Sequence, residues 1–311
     1  MGAGPGQSAA DPRRPVAEGR WYTAASCRWV AYGAAVRADL TTGQTLAFDH
    51  VGPRQGTPIV LLHGLSGNRR TYQRVAAHLS GRTEVFCVDM RGHGESTRAA
   101  DVTGYRADEY ATDIAAFLRD VVGRPALVAG HSLGGVVAAV LATPSGDPDG
   151  LVQAVFLEDP PLFEGDDVRR AASPVAAFFP KLVAAVQELQ RADAPLGAYE
   201  ELAAAMVPAQ DVAERALSLR MWDPITMQAA IDGVVWRGFD PTVALSRPVT
   251  ALCADPVVGA VFTPEDAAAF RSVNPNARVE TVTGAGHGIH DDATLGAYLD
   301  ELDGFVATYG T

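Results

Sequence analysis

Cysteine is scarce in this chain of 311 residues. Cys27, Cys87 and Cys253 are too few and too scattered for a disulfide framework, and the last two lie in apolar, strand-like runs where they read as small packing residues. No apolar run reaches membrane-spanning length. The first twenty residues are rich in Gly, Ala and Pro and contain no apolar h-region; Arg13 and Arg14 are followed by a charged, proline-containing stretch, not by the hydrophobic core of an export signal. A reducing, cytoplasmic location is the expectation. Positive charge is also in deficit. A net charge of −12 argues against nucleic acid or an anionic membrane as partner, because phosphate binding needs a basic surface. There is no HExxH and no paired CxxC, and the histidines fall at the ends of separate strands. Neither a metal nor another cofactor is therefore expected.

What the chain does have is alternation. Its length accommodates one large α/β domain with an insertion, and 48% hydrophobic against 20% charged residues is an ordinary soluble balance. After a loose segment over 1–22, Trp29–Arg37 and Gln44–Val51 read as a hairpin about Thr41-Thr42-Gly43. Apolar strands follow at Thr57–Leu62, Glu84–Asp89, Ala126–Ala129, Ala154–Leu157, Val249–Ala254 and Arg278–Val282, with helices between them. Fully apolar strands separated by helices indicate a mostly parallel central sheet with helices on both faces. From 162 to 240 the strand signal stops, and helix-like segments broken at Pro174, Pro180, Pro195, Pro208 and Pro224 carry many aromatic and methionine residues. This is a helical insertion, leaving 23–161 and 241–311 as the core.

The chemistry centres on Gly130-His131-Ser132-Leu133-Gly134, a GxSxG between an apolar strand and an apolar helix. Ser132 on that tight turn has the setting of a nucleophile, and its flanking glycines let strand and helix approach closely. A serine needs an imidazole to take its proton and a carboxylate to fix the imidazole's tautomer. His287, after a late strand, is the base; His290, one helical turn on, reads as a loop-packing residue. His131 beside the serine reads as packing.

Four segments in this order resemble the α/β-hydrolase fold over about Gln44 to Tyr309: His63-Gly64 after the third strand, Asp89–Ser96 as a DxRGxGxS turn, the elbow at Ser132, and a terminal GxGH at 284–287. The resemblance implies a helical cap after the sixth strand and an oxyanion hole from the backbone N–H groups of Leu65 and Leu133, each worth about 3 to 4 kcal/mol to the transition state. Ser66 reads as an ordinary turn serine, and His63 and His93 as structural.

The acid departs from the common family pattern. A carboxylate there normally follows the seventh strand, but Val257 occupies the expected place, with Asp255 two residues early. A minority of the family takes the acid from the end of the sixth strand, where this chain has Glu158-Asp159-Pro160-Pro161. Strand register favours Asp159 and turns Glu158 away; Asp159, Asp255 and Glu158 remain the three candidates. An elbow serine implies an acyl-enzyme, so the expected function is hydrolysis of an ester or lactone of an apolar small molecule. The stretch Glu158–Phe163 is faintly similar to that of lactonases opening zearalenone. A carbon–carbon bond hydrolase of the same fold is the alternative within enzymes, although the helical insertion shows few basic residues for a dicarboxylate-like substrate. A non-catalytic ligand receptor is the alternative outside them, and a homodimer is kept as a possible assembly.

Overall fold

The apolar runs become one eight-stranded sheet in the computed structural model, which describes residues 35–172, 175–291 and 293–310. These lie in a single compact unit, residues 32–311. The strands are β1 (Val36–Asp39), β2 (Thr45–Val51), β3 (Ile59–Leu62), β4 (Val85–Val88), β5 (Ala126–His131), β6 (Val152–Glu158), β7 (Val249–Cys253) and β8 (Arg278–Thr281), in the order β1-β2-β4-β3-β5-β6-β7-β8. Only the β1–β2 and β2–β4 pairings are antiparallel. Every residue of β3, β4 and β7 is buried, as expected of parallel strands covered on both faces.

The segment 1–22, Cys27 and residues 29–34 of the expected first strand lie outside the described residues. What is described begins later than expected: β1 runs from Val36 to Asp39 and joins β2 directly across a turn in which Gly43 takes φ +82°. It is the sheet's edge, and Val36 is 49% exposed; its lack of alternation with a buried face is why its bounds were poorly marked.

Ten helices are described: α1 (Gln73–Leu79), α2 (Ala107–Phe117), α3 (Leu133–Leu141), α4 (Asp167–Ala172), α5 (Val175–Arg191), α6 (Leu196–Ala204), α7 (Val212–Met221), α8 (Ile225–Ile231), α9 (Pro264–Val273) and α10 (Leu295–Tyr309). Five of them, α4 to α8, fall between β6 and β7. Pro195, Pro208 and Pro224 each stand at the start of a helical segment. Pro180 does not break the chain as expected, because it sits inside α5. One proline removes one rung of a helix, and the burial of Leu182, Val183 and Val186 further along the same helix outweighs that loss. None of the described helices is long and apolar enough to cross a membrane.

The topology assembles one crowded edge. The chain leaves β3, forms β4 on one side, then returns to form β5 on the other, so β3 and β5 pair in parallel with Leu62 opposite Gly130. Such a switch point opens a crevice at the carboxyl ends of the strands. The packing there is set by glycines. A Cβ on Gly130 would overlap the Gly134 carbonyl, one on Gly134 would overlap the Leu62 carbonyl, and one on Gly135 would press on Pro160. The GxSxG spacing is thus a steric requirement of β3, β5 and α3 meeting backbone to backbone.

Gly130→Ala is expected to lower unfolding stability by about 1–3 kcal/mol, the usual cost of overpacking. Urea unfolding measures this, and an unchanged midpoint would mean that α3 can slide away from β5.

Candidate active site

Ser132 follows β5 directly and has φ 51° and ψ −116°, a backbone conformation that costs free energy for a residue with a side chain. It is held there from both sides: its N–H donates to the Glu158 carbonyl (2.9 Å) and its carbonyl accepts from Val136 (3.0 Å). The strain lifts the serine out of the strand line at the N-terminus of α3.

The next strand supplies the carboxylate. His131 on β5 lies opposite Glu158 on β6, so Ser132 and Asp159 leave neighbouring strands side by side. Asp159 is completely buried and takes φ 39°. Its Oδ1 accepts from the N–H groups of Ala254 (3.2 Å) and Phe262 (3.1 Å), and its Oδ2 from that of Val261 (2.9 Å) and from His287 Nδ1 (2.7 Å). This arrangement fixes the His287 proton on Nδ1 and leaves Nε2 to act as a base.

The other candidate acids have different partners. Asp255 accepts from its neighbour Val257 N–H (2.9 Å) and from Gly284 N–H (2.8 Å), and its own N–H donates to the Ala285 carbonyl (2.8 Å). The Gly284 and Val257 bonds hold its carboxyl below the usual range. Asp255 therefore braces the loop that carries His287 without touching the imidazole. Glu158 points to the opposite side of β6, fully buried, where both of its oxygens meet His290 Nδ1 (2.7 and 2.9 Å) and one accepts the His290 N–H (2.9 Å). Burial works against both charges, but each is outweighed by the partner: Glu158 stays below its ordinary value and His290 above it. His290 is thus one half of a buried ion pair, a role its loop position did not reveal.

His131 sits between the two pairs. Its ring centroid is 4.6 Å from that of His287 and 5.0 Å from that of His290, and its Nε2 donates to the His287 carbonyl (3.0 Å). Burial pushes this imidazole down to about 3, so it is neutral at working pH. Among the described residues no hydrogen bond joins the Ser132 hydroxyl to His287.

The loop after β3 lies against the elbow, where a Cβ on Gly64 would press on His131 and Ser132. Among the described residues the N–H groups of Leu65 and Leu133 donate to no protein acceptor. The loop is wired to the turn after β4 by two buried imidazoles. His63 bonds the Gly64 carbonyl (2.8 Å) and Met90 N–H (3.1 Å); His93 bonds the Arg91 carbonyl (3.0 Å) and Ser66 N–H (3.3 Å). In that turn Asp89 accepts from Arg69 at both oxygens (2.6 Å each) and from Glu95 N–H (2.9 Å), while Arg91 grips Asp113 with two bonds (2.5 and 2.7 Å). Both histidines have spent their nitrogens on main chain.

The helical segment, expected to offer few basic residues, brings one to the site. Arg215 on α7 donates from Nη1 to the Ser66 carbonyl (2.7 Å) and from Nη2 to the Ser66 hydroxyl (2.9 Å). Ser66, at φ 58°, is an anchor for this arginine. Conversely Trp222, Met227 and Tyr199 are core residues of the helical segment, fully buried. Among the described residues no group of three or more His, Cys, Asp or Glu side chains is placed to hold a metal ion.

A model of the alpha/beta hydrolase family matches residues 59–300. The 2-(acetamidomethylene)succinate hydrolase of Mesorhizobium japonicum is 38% identical over 79 residues, a quarter (25%) of this chain and 28% of that protein's length. The N-formylmaleamate deformylase of Pseudomonas putida is 27% identical over 259 residues, covering 82% of this chain and 88% of the other. The crystal structure of E-2-(acetamidomethylene)succinate hydrolase superposes with a TM-score of 0.66 at 23% identity, over 88% of this chain and 98% of that one, a likeness of fold.

The buried pair makes stability depend on pH. His290 is raised above 6.5, so its share is full below that pH and is lost as pH rises through the folded-state value. Glu158, held below 4.5, contributes above 4.5 and loses its share as pH falls through its lower folded-state value. His290→Gln is expected to cost about 3–5 kcal/mol, as breaking a buried pair does. The Tm gap to the wild type should be widest between pH 4.5 and 6.5 and narrow as pH rises through the folded-state value of His290; a gap of constant width would mean that the pair is uncharged.

Proposed function

The chain belongs to the alpha/beta hydrolase family and is a hydrolase of that fold; within it we propose a serine hydrolase that cleaves a carboxylic ester or lactone through an acyl-enzyme. The observation that carries the reading is the 2.7 Å bond from His287 Nδ1 to an Asp159 carboxylate held by three main-chain N–H groups, one strand away from a strained serine. In the proposed mechanism the Ser132 hydroxyl turns towards His287 Nε2, gives up its proton and attacks the acyl carbon. Such a hydrogen bond is often absent or long in the resting enzyme and forms with substrate. The Leu65 and Leu133 N–H groups, free of protein acceptors, receive the negative oxygen. The imidazolium, steadied by Asp159, protonates the leaving oxygen, and a water activated by His287 then releases the acid.

Residues 162–240 form the cap of this reading, covering the crevice after β3 and β5. Its half-buried Phe163, Met206, Trp236 and Phe239 pack against the hydrophobic core, and macrocyclic lactones of the zearalenone type are one class of apolar substrate to assay. A second reading, hydrolysis of an acyl carbon–nitrogen bond by the same residues, is favoured by the similarity to a protein named N-formylmaleamate deformylase along 82% of the chain.

Ser132→Ala is expected to abolish release of acid from esters, lactones and N-acyl compounds alike. Asp159→Asn should lower kcat about 10⁴-fold by allowing the wrong imidazole tautomer, whereas Asp255→Asn should leave most activity. Steady-state kinetics on the three substrate classes checks this. Ester cleavage that survives in Ser132→Ala would overturn the reading, and a larger loss in Asp255→Asn than in Asp159→Asn would move the acid.

A further inference from the structure

Arg215 is a cation held close to the candidate site without a counter-charge among the described residues. Its helical neighbour Glu214 is turned to Arg70 (3.4 and 3.5 Å), and among the described residues no carboxylate lies within ion-pair distance of Arg215. Its two bonds go to the neutral oxygens of Ser66. A guanidinium has five N–H donors, so three remain beyond those two. Protein encloses the side chain enough to pull it down to about 10 through lost hydration, with no acidic group opposing the shift. A charge stripped of part of its hydration and left without a partner is costly, and this one is held at Ser66. Ser66 follows Leu65, the proposed oxyanion donor, and Gly64 packs on Ser132. At 3.8 Å per residue, an anion on the free side of the guanidinium lies at most about 10 Å from the carbonyl under attack; succinyl and glutaryl groups, with about 4 to 5 Å between their carboxyl carbons, reach the near part of that range.

We infer that Arg215 is a substrate-binding residue and that the substrate carries a carboxylate a few bonds from the carbonyl being attacked. This rests on the serine-hydrolase reading above and narrows its substrate class to half-esters, lactone acids or N-acyl derivatives of short dicarboxylic acids. The carboxylate supplies the missing counter-charge. Because the same guanidinium grips the loop holding the Leu65 N–H, binding of the anion also fixes the oxyanion donor in place.

The test compares monoethyl succinate and monoethyl glutarate with neutral ethyl pentanoate, followed by titration of the acid released, in the wild type, Arg215→Lys and Arg215→Gln. The wild type is expected to favour the acidic esters by about tenfold to a hundredfold in kcat/KM, the worth of one charge-assisted hydrogen-bonded contact, chiefly through KM. That ratio should fall towards one in Arg215→Gln and be kept in part by Arg215→Lys. A wild type with no preference for the acidic esters, or variants that slow all three esters by one common factor, would reduce Arg215 to a tether between α7 and the loop. A binding arm separates this from the catalytic reading. Calorimetry of glutarate with Ser132→Ala should show binding that is lost in Ser132→Ala/Arg215→Gln. If no ester is hydrolysed, the serine-hydrolase reading fails while this arm still decides on the anion; absence of glutarate binding to Ser132→Ala overturns the inference whatever the ester results.

Discussion

The carboxylate of Asp159 is the constraint around which the rest is arranged. A charge with no exposure to water is sustainable only if nearly every lone pair has a donor, and here four donors converge: three main-chain N–H groups from 254–262 and one imidazole nitrogen. For this to happen β7 must lie beside β6, the loop after β7 must fold back over the end of β6, and the loop after β8 must reach across both. The positive φ of Asp159 follows from the same demand, since an extended residue there would carry the side chain past its donors. The loop that in many relatives of this architecture would bear the acid is instead given over to solvating one.

Two carboxylate–imidazole pairs therefore run side by side. Glu158 closes β6 and Asp159 follows it at φ 39°, and their carboxylates meet His290 and His287, which come from one loop. The outer pair faces the crevice. The inner pair is sealed beneath it, and its charges survive burial because each is the other's solvation. His131, neutral, lies between the two imidazoles, tilted against His287 and edge-on to His290. The inner pair, together with Asp255 at the base of the same loop, gives the His287 loop a rigid seat.

Much of this was legible in the residues. The elbow was, because its glycines answer to a steric fact that any chain at such a crossing must meet. The buried strands were, because burial on both faces leaves continuous apolar runs. Which of Asp159, Asp255 and Glu158 meets His287 depended on the register of β6 and on which main-chain groups face it, and local sequence constrains the first and is silent on the second. Asp255 shows why the ambiguity was real: it does hold the histidine's loop, through Gly284 and Ala285. Pro180 misled because a breaker is a local signal and the helix around it is held by tertiary burial. Arg215 left no trace, since its meaning lies in a contact with Ser66 from which it is separated by 149 residues.

The donors of Asp159 come 95 to 103 residues after it, and its imidazole 128 residues after it. During synthesis Ser132 and Asp159 therefore emerge long before anything exists to solvate the carboxylate. Until β7 and its loop leave the ribosome, the end of β6 has to keep its carboxylates in water, and the sheet cannot close over that edge. The pairing of Asp159 with His287 is then among the last contacts the nascent chain acquires. Ser132, made early, gains its neighbouring carboxylate–imidazole pair only after residue 287 has been made and its loop has docked on the end of β6.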